Sequence, residues 1–501
     1  MKYVPILLIL PLVSAFLAPA LGIVNKKFGR FFNPILYGLG IFFGILLFIN
    51  EYPESHLIVI GGWRPPFGIN LYISPLSYIG IIGIYLLAFF IHIADIENPR
   101  SSYYNLLFAL FVFSSLGVVL TGDIFNLFIF LEIGSVAVIA LSSAVSERAG
   151  TRAAVKYMVP SNLVAMFMLI GIALLYSSLG TLNIAHITAS QSLNGAIALV
   201  IGLSIFTSLF FEVELFPFNT WVPDVYKGSA STFSAALSGI GGLASALVLG
   251  RLFLTMMGPE SSFKLASNQL SSILYIVATA SILIGEFSAL KERDVKKVLA
   301  FSSVGQMGLV ALAFATRNPL AVSAGIILLV NHSFAKPLLM IVAGFFVKTT
   351  NETRWDDMRG VARQYPMMGV LFIIAALSLM GMPFFMGFWG KIELVKSLLD
   401  GGVLAWVGLG AILISVIVEG AYFVRMSHAF FEQPTEDIKI AKMGKISIII
   451  PICVLVTVII ILGIFPSIMQ GFANHISSDL LNSNGYINNI IQSVSSAGVE
   501  L

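Results

Sequence analysis

The sequence predicts an all-α integral membrane protein of about fourteen transmembrane helices, and three observations carry that prediction. Of its 501 residues, 58% are hydrophobic and 11% charged, and the mean hydropathy is +0.95; soluble domains run at about 45–50% apolar and about 25% charged. Apolar runs of roughly the 20 residues that a bilayer core demands follow one another along nearly the whole chain. Lys and Arg gather in alternate connections between those runs. Length alone would suggest roughly three soluble domains, but no polar stretch of that size separates the runs. A transmembrane β-barrel would show short alternating segments instead.

The spans read, in order, 4–24, 31–50, 76–95, 104–121, 124–145, 155–180 and 194–216, then 231–257, 270–290, 298–316, 319–347, 368–398, 403–430 and 446–470. The first is too long for a signal-peptide core, and no small-residue cleavage site ends it, so it is read as a retained helix. The longest polar connection, 51–75, holds the turn-rich Gly61-Gly62-Trp63-Arg64-Pro65-Pro66. Segment 471–501 is polar, with several Asn and Ser, and reads as an external tail.

Two spans are interrupted in similar company: ELFPFNTWVPD from Glu214 to Asp224 and MPFFMGFWGK from Met382 to Lys391. Both place Pro-Phe shortly before Trp, with charges close by. Matching interruptions in two halves point to an internal repeat and a midplane ion site. Such prolines need neighbours or water to re-satisfy the freed backbone groups, and two merely kinked helices explain them equally well.

Basic loops stay on the cytoplasmic side. Connections after odd-numbered spans, with their immediate flanks, hold Lys26, Lys27, Arg30, Arg100, Arg148, Arg152, Lys156, Lys227, Lys291, Arg293, Lys296, Lys297, Lys348, Arg354, Arg359, Arg363, Arg425, Lys439, Lys442 and Lys445. The other side holds Lys2, Arg64, Arg251, Lys264, Arg317 and Lys396. Both termini should therefore face outward, which an even number of spans requires.

Charges recur where lipid should be. Each costs about 2.5–3.5 kcal/mol at a helix centre on insertion scales, so they must be paired, hydrated or neutral. Glu132 has no charge in the eight residues before it. Glu212 and Glu214 flank the first interruption, and His332 and Lys336, four residues apart, share a helix face. Lys391, Glu393 and Glu419 follow in the last third. Burial moves lysine and carboxylate affinities toward neutral pH, as a proton carrier needs. Blander readings compete. Glu286 and Arg251 sit near span ends, where they would snorkel. Glu212 and Glu214, like Lys391 and Glu393, are two residues apart, about 200° around a helix, so both members cannot face one site. Glu419 would be a structural partner of Arg425, and His92 and His186 would be solvated near loops. Glu132, Glu212, His332, Lys336 and Lys391 are therefore the ion-translocation candidates, with Glu214, Glu393 and Glu419 as secondary ones.

The single Cys453 cannot make an iron–sulfur or structural zinc site alone. The sequence offers no convincing haem ligand pair or nucleotide loop. No metal, catalytic residue or cofactor is expected in this chain, and no nucleic-acid partner.

DVKKVLAFSSVGQMG, from Asp294 to Gly308, resembles a segment shared by antiporter-like subunits of respiratory complex I, Mrp-type sodium/proton antiporters (their D-type subunits) and membrane-bound hydrogenase-type complexes. NHSFAKPLLMIVAG, from Asn331 to Gly344, is similar to the family's Asn-His-x-x-x-Lys stretch, and GDIFNLFIFLE, ending at Glu132, looks most like the Mrp and hydrogenase branches. FPFNTWVPDVYKG, from Phe216 to Gly228, also resembles the family, with a flavour of the N-type subunit of complex I. The resemblance spans roughly residues 100–430 in the right order. It implies fourteen helices with two inverted five-helix repeats, broken helices near 212–223, 331–337 and 382–391, and a central hydrophilic axis. The chain then divides into N-terminal helices 1–100, repeats at 101–257 and 270–430, and a last helix with tail at 446–501. By position, Glu132 resembles the first-half glutamate that modulates a lysine, His332 and Lys336 the central relay, and Lys391 the second-half terminal residue. Two positions depart: the usual seventh-helix lysine is Glu212, and an eighth-helix lysine is Leu243.

The resemblance implies an ion-translocating subunit of a larger Mrp-like or hydrogenase/complex I-like assembly in the cell membrane. Protons would be the ion and sodium the second candidate, with an iron–sulfur redox module among the candidate partners. A structural linker with a degenerate first-half channel is the main alternative; a solute permease fits the charges less well.

Overall fold

The computed structural model of the chain describes residues 3–24, 26–63, 65, 68–98, 100–144, 147–433 and 446–488. Helix prevails because a segment in hydrocarbon must satisfy its own backbone hydrogen bonds. The order begins with α1 (Tyr3–Val24), α2 (Lys26–Glu51), a hairpin of β1 (His56–Val59) and β2 (Asn70–Ile73), α3 (Pro75–Asp95), α4 (Ser102–Leu120), α5 (Ile124–Ser143) and α6 (Glu147–Leu179). It continues with α7 (Ile184–Ala189), α8 (Gly195–Glu212), α9 (Val222–Gly228), α10 (Ser231–Ala236), a π-helical turn at Leu237–Gly241, and α11 (Gly242–Met256). Then come α12 (Ser267–Lys291), α13 (Val295–Ala315), α14 (Pro319–Thr350), α15 (Val361–Gln364), α16 (Pro366–Met380), α17 (Met386–Leu398), α18 (Val403–Phe431), α19 (Ile446–Ile464) and α20 (Pro466–Leu481).

Among the described residues, 12 helices are long and apolar enough to cross a bilayer, with Ser231–Met256 taken as one through its π turn. A thirteenth arises if 448–464 and 466–481 form one span, but they meet at 85° where Pro466 interrupts the helix. The span expected at 368–398 is divided into α16 and α17, of 15 and 13 residues. Gly381, with φ +81°, closes α16 as glycine readily does. The interruption at 212–223 is present, between α8 and α9. The one expected at 331–337 is not: α14 runs through Asn331, His332 and Lys336. Pro337 removes one donor from the ladder, yet close packing on every side holds the helix together.

Helix starts follow their capping residues. Asp123 accepts a hydrogen bond from Asn126 N–H at 2.8 Å to open α5, and Asn318 accepts one from Leu320 N–H at 2.9 Å to open α14. Asp294 accepts from Lys296 and Lys297 N–H at 3.1 and 3.2 Å to open α13. Its other carboxylate oxygen lies 2.8 Å from Lys227 Nζ as an ion pair. Asp294→Ala should lower stability by about 1–2 kcal/mol, mainly through the lost cap. A thermal melt in detergent measures this, and an unchanged melting temperature would deny the cap its role.

The basic loops meet on one face. There Arg100 pairs with Asp95, Asp224 joins Lys156 and Lys297, Arg293 pairs with Asp356, and Arg359 with Glu432. Burial pushes the Asp224 carboxyl up, but the two lysines outweigh it and hold it below the usual carboxylate range. The opposite face is closed by the hairpin, the Met257–Ser267 connection and α20. Phe472 packs on Phe48 and Tyr52, Ser477 bonds Pro319 O at 2.7 Å, and Tyr486 packs edge-on to Tyr72. The polar segment read as a tail thus begins as a packed helix. Residues 489–501, Arg64, Lys439, Lys442 and Lys445 lie outside the described residues.

Helices α13, α14 and the Ser231–Met256 segment are enclosed by protein along nearly their whole lengths, whereas α5, α6, α12 and α18 expose about half. A charge escapes lipid most readily at that centre.

Candidate functional site

α8 stops at Glu212, so the expectation that Glu212 and Glu214 diverge fails. It assumed one continuous helix, whereas Glu214 adopts a left-handed φ of +62° in the turn beyond. Both carboxyls line one cavity of about 40 Å³ with Ser114, Ser115, Tyr157 and Ser245. That space suits about two or three waters. Tyr226 donates to Glu214 Oε1 at 2.6 Å, while Glu214 Oε2 is buried with no hydrogen-bond partner. Glu132 is half-buried, lies on the side of α5 shared with the exposed Ile129 and Val136, and sits within electrostatic reach of Glu212.

Lys336 is fully buried on the enclosed α14 and donates to Ser302 Oγ at 2.8 Å. Glu214, Glu286 and Glu419 are within its electrostatic reach. His332, one turn earlier, is 1% exposed; its ring faces the Ser238 backbone in the π turn and Gly242 just past it. π turns recur at functional sites. Asn331 plays a packing part: its amide donates to Ser378 O at 3.2 Å and its oxygen accepts from Ser378 Oγ at 2.5 Å. This ties α14 to the end of α16. Only glycine fits at Gly387 beside this contact, because a Cβ there would collide with Ser378 O.

Lys391 Nζ lies 2.7 Å from Glu419 Oε2 and donates to Met380 O at 3.1 Å. Gln306 donates to Glu419 Oε1 at 2.9 Å. Glu393 turns the other way, as its spacing from Lys391 requires, and accepts from Gln470 of α20 at 2.6 Å. The arrangement is a file of titratable groups running Glu212, Glu214, Lys336, then Lys391 with Glu419, crossing from the first half of the chain to the second. Carboxylates hold its first-half end and lysines its second, with Glu419 paired to the last. On the basic face, a cleft of about 680 Å³ is lined by Asp95, Arg100, Lys227, Lys296 and Lys348.

Several expectations are corrected. Glu419 pairs with Lys391, not with Arg425, whose guanidinium instead donates to Leu290 O. His92 is buried rather than solvated. Arg251 does not snorkel: its guanidinium is buried and donates to Val119 O at 2.8 Å and Ser77 Oγ at 2.7 Å. Glu286 does not snorkel either, being 1% exposed. It lies five residues from the end of α12, about 7.5 Å along the axis, farther than so short a side chain reaches. That depth was the available signal. Ser302 and Gln306 were also missed; they are polar residues one turn apart in a mostly apolar stretch.

A family profile described as NADH:quinone oxidoreductase/Mrp antiporter, transmembrane, matches residues 121–418. NADH-quinone oxidoreductase subunit N of Desulforudis audaxviator is 32% identical over 379 residues, covering 73% of this chain and 74% of that protein. The D-type subunit of the Na+/H+ antiporter of Bacillus subtilis is 23% identical over 499 residues, covering 98% and 99%. Among solved structures, a chain of the membrane-bound sulfane sulfur reductase, an archaeal respiratory membrane complex, superposes with a TM-score of 0.90. It is 29% identical, with 98% of this chain and 100% of that one covered. A chain of the Mrp complex from a Dietzia strain gives 0.86 at 21% identity, covering 97% and 98%, a likeness of fold.

Proposed function

Because this chain belongs to the NADH:quinone oxidoreductase/Mrp antiporter transmembrane family, we propose that it is the ion-translocating subunit of a larger membrane complex, carrying protons along the file from Glu212 to Lys391. The observation behind this reading is Lys336, fully buried on the most enclosed helix with carboxylates within reach on both sides. A structural helix gains nothing from a desolvated ammonium, whereas a relay needs one. On this reading the chain holds no redox centre, and the energy arrives from a partner redox module, with iron–sulfur centres as the candidate, or from an ion gradient. Sodium is the second candidate ion. Both termini face outward, in keeping with the basic loops meeting on one face.

Two inverted repeats are part of the proposal, supported by paired features. Asp123 caps α5 and bridges to Asn183, while Asp294 caps α13 and bridges to Arg354. Those two aspartates lie on opposite faces of the bundle. The long helices α6 and α14 each contain a proline, Pro160 and Pro337. Interruptions follow in each half, at 213–221 and 381–385.

The test is to purify the assembled complex, reconstitute it in vesicles and follow internal pH with and without sodium. Proton movement independent of sodium supports protons as the ion, dependence on sodium supports exchange, and no ion movement refutes the reading.

A second reading, a structural linker with a closed first half, is favoured by Leu243. It is buried against Gly83 and lines an apolar cavity of about 200 Å³ where a polar path would need a carrier. Glu212→Gln separates the two. If the first half conducts, transport falls on the order of tenfold to a hundredfold or more. If it is closed, transport is unchanged.

A further inference from the structure

Glu286 is the buried carboxylate that the proposed path does not use. Both of its oxygens are enclosed, and the side-chain hydroxyl within bonding reach of them is that of Tyr422. Few native carboxylates are held by so little, because a buried polar group short of bonds is costly. Space is reserved for this one: a Cβ on Gly305 of α13 would collide with Glu286 Oε1. The groups around it come from three other helices. α18 brings Glu419 and Tyr422, α17 brings Lys391, and α14 brings Lys336, all within electrostatic or side-chain reach. Tyr422 OH is likewise buried and stands between Glu286 and Ser302, within bonding reach of both. Ser302 already holds Lys336 Nζ. Lys391 and Glu419 are joined to each other. Glu286 therefore occupies the gap between a lysine held only by a serine and a closed ion pair.

We propose that Glu286 is a proton-relay site joining Lys336 to the Lys391–Glu419 pair. The step balances as a simple transfer. An N–H bond of the Lys336 ammonium breaks and an O–H bond forms on the Glu286 carboxylate, leaving a neutral amine and a neutral acid. The acid then gives its proton to Lys391 after Lys391 has released its own, and Glu419 holds the ammonium that results. Tyr422 OH and Ser302 Oγ, which can donate and accept, carry the proton across the gap.

The inference rests on the translocation reading above, and one experiment distinguishes their failures. Reconstituted complexes carrying Glu286→Gln and, separately, Lys336→Met are compared with the unaltered complex for proton flux. Gln keeps the shape and removes the proton site, so flux is expected to fall on the order of a hundredfold with subunit content unchanged. Loss of flux in the Lys336 variant alone overturns the role of Glu286 and leaves the function standing; normal flux in both overturns both. Infrared difference spectra between two pH values give the readout that a structural role would not move. A protonated-carboxyl band that shifts in D2O should vanish in Glu286→Gln, and its persistence overturns the assignment. Should that variant fail to assemble, Tyr422→Phe decides, since it keeps the ring in place and removes only the bridging hydroxyl. A several-fold loss of flux supports the relay, and an unchanged rate overturns it.

Discussion

Lys336→Met lowers proton translocation by on the order of a hundredfold or more while the melting temperature of the assembled complex stays level or rises. The two halves of this expectation follow from the same facts. Lys336 is fully buried and its only direct hydrogen bond among the described residues is to Ser302. Met fills nearly the same volume without a charge, and such replacements of buried ions by well-packed apolar groups are often neutral or stabilising by about 1–4 kcal/mol. Transport has no such substitute, because no other group on α14 at that depth can bind a proton except His332, which faces the π turn. A vesicle assay and a melt on the same preparation measure both quantities. If flux and stability fell together, Lys336 would be a structural residue; if neither changed, the path would lie elsewhere.

The fold was largely legible because its signals are one-dimensional. Apolar runs and alternating basic loops depend on residue order alone, and the ion pairs from Arg100 to Arg359 lie on the face that the loop charges assigned. Interruptions at Pro217 and Pro383 were also visible, because each proline opens a Pro-Phe pair shortly before Trp with charges close by. The expected break at 331–337 was not realised, since one missing donor at Pro337 is too small a defect to open a helix enclosed along its length. A buried charge was legible when it lay far from any span end, as with Lys336; Glu132, equally deep in its span, is only half-buried. Site residues were illegible when the reading depended on which helices become neighbours. Glu419 has Arg425 near it in sequence, but α18 turns it toward α13 and α17, and only the packing reveals Gln306 and Lys391 waiting there. Glu212 and Glu214 show the opposite error. A helical wheel separates them, and the turn at Glu214 brings them back together.

The second large effect concerns Lys391 and Glu419. Their ion pair at 2.7 Å is almost wholly removed from solvent, so deleting one partner strands a charge in a region with few substitutes. Lys391→Met leaves Glu419 with the Gln306 amide alone, and Glu419→Leu leaves Lys391 with Met380 O. Each single change should destabilise the complex by about 3–5 kcal/mol. The double variant Lys391→Met/Glu419→Leu removes both charges at once and should recover to within about 1 kcal/mol of the unaltered complex, giving a large favourable coupling in the cycle. Translocation should not recover with it, because the terminal proton site is gone in every variant lacking Lys391. Melting temperature and flux therefore part company only in the double variant. A double variant as unstable as either single would mean that shape, rather than charge pairing, holds α17 against α18. Recovered flux would remove Lys391 from the path and leave Glu286 and Lys336 to deliver the proton by another exit.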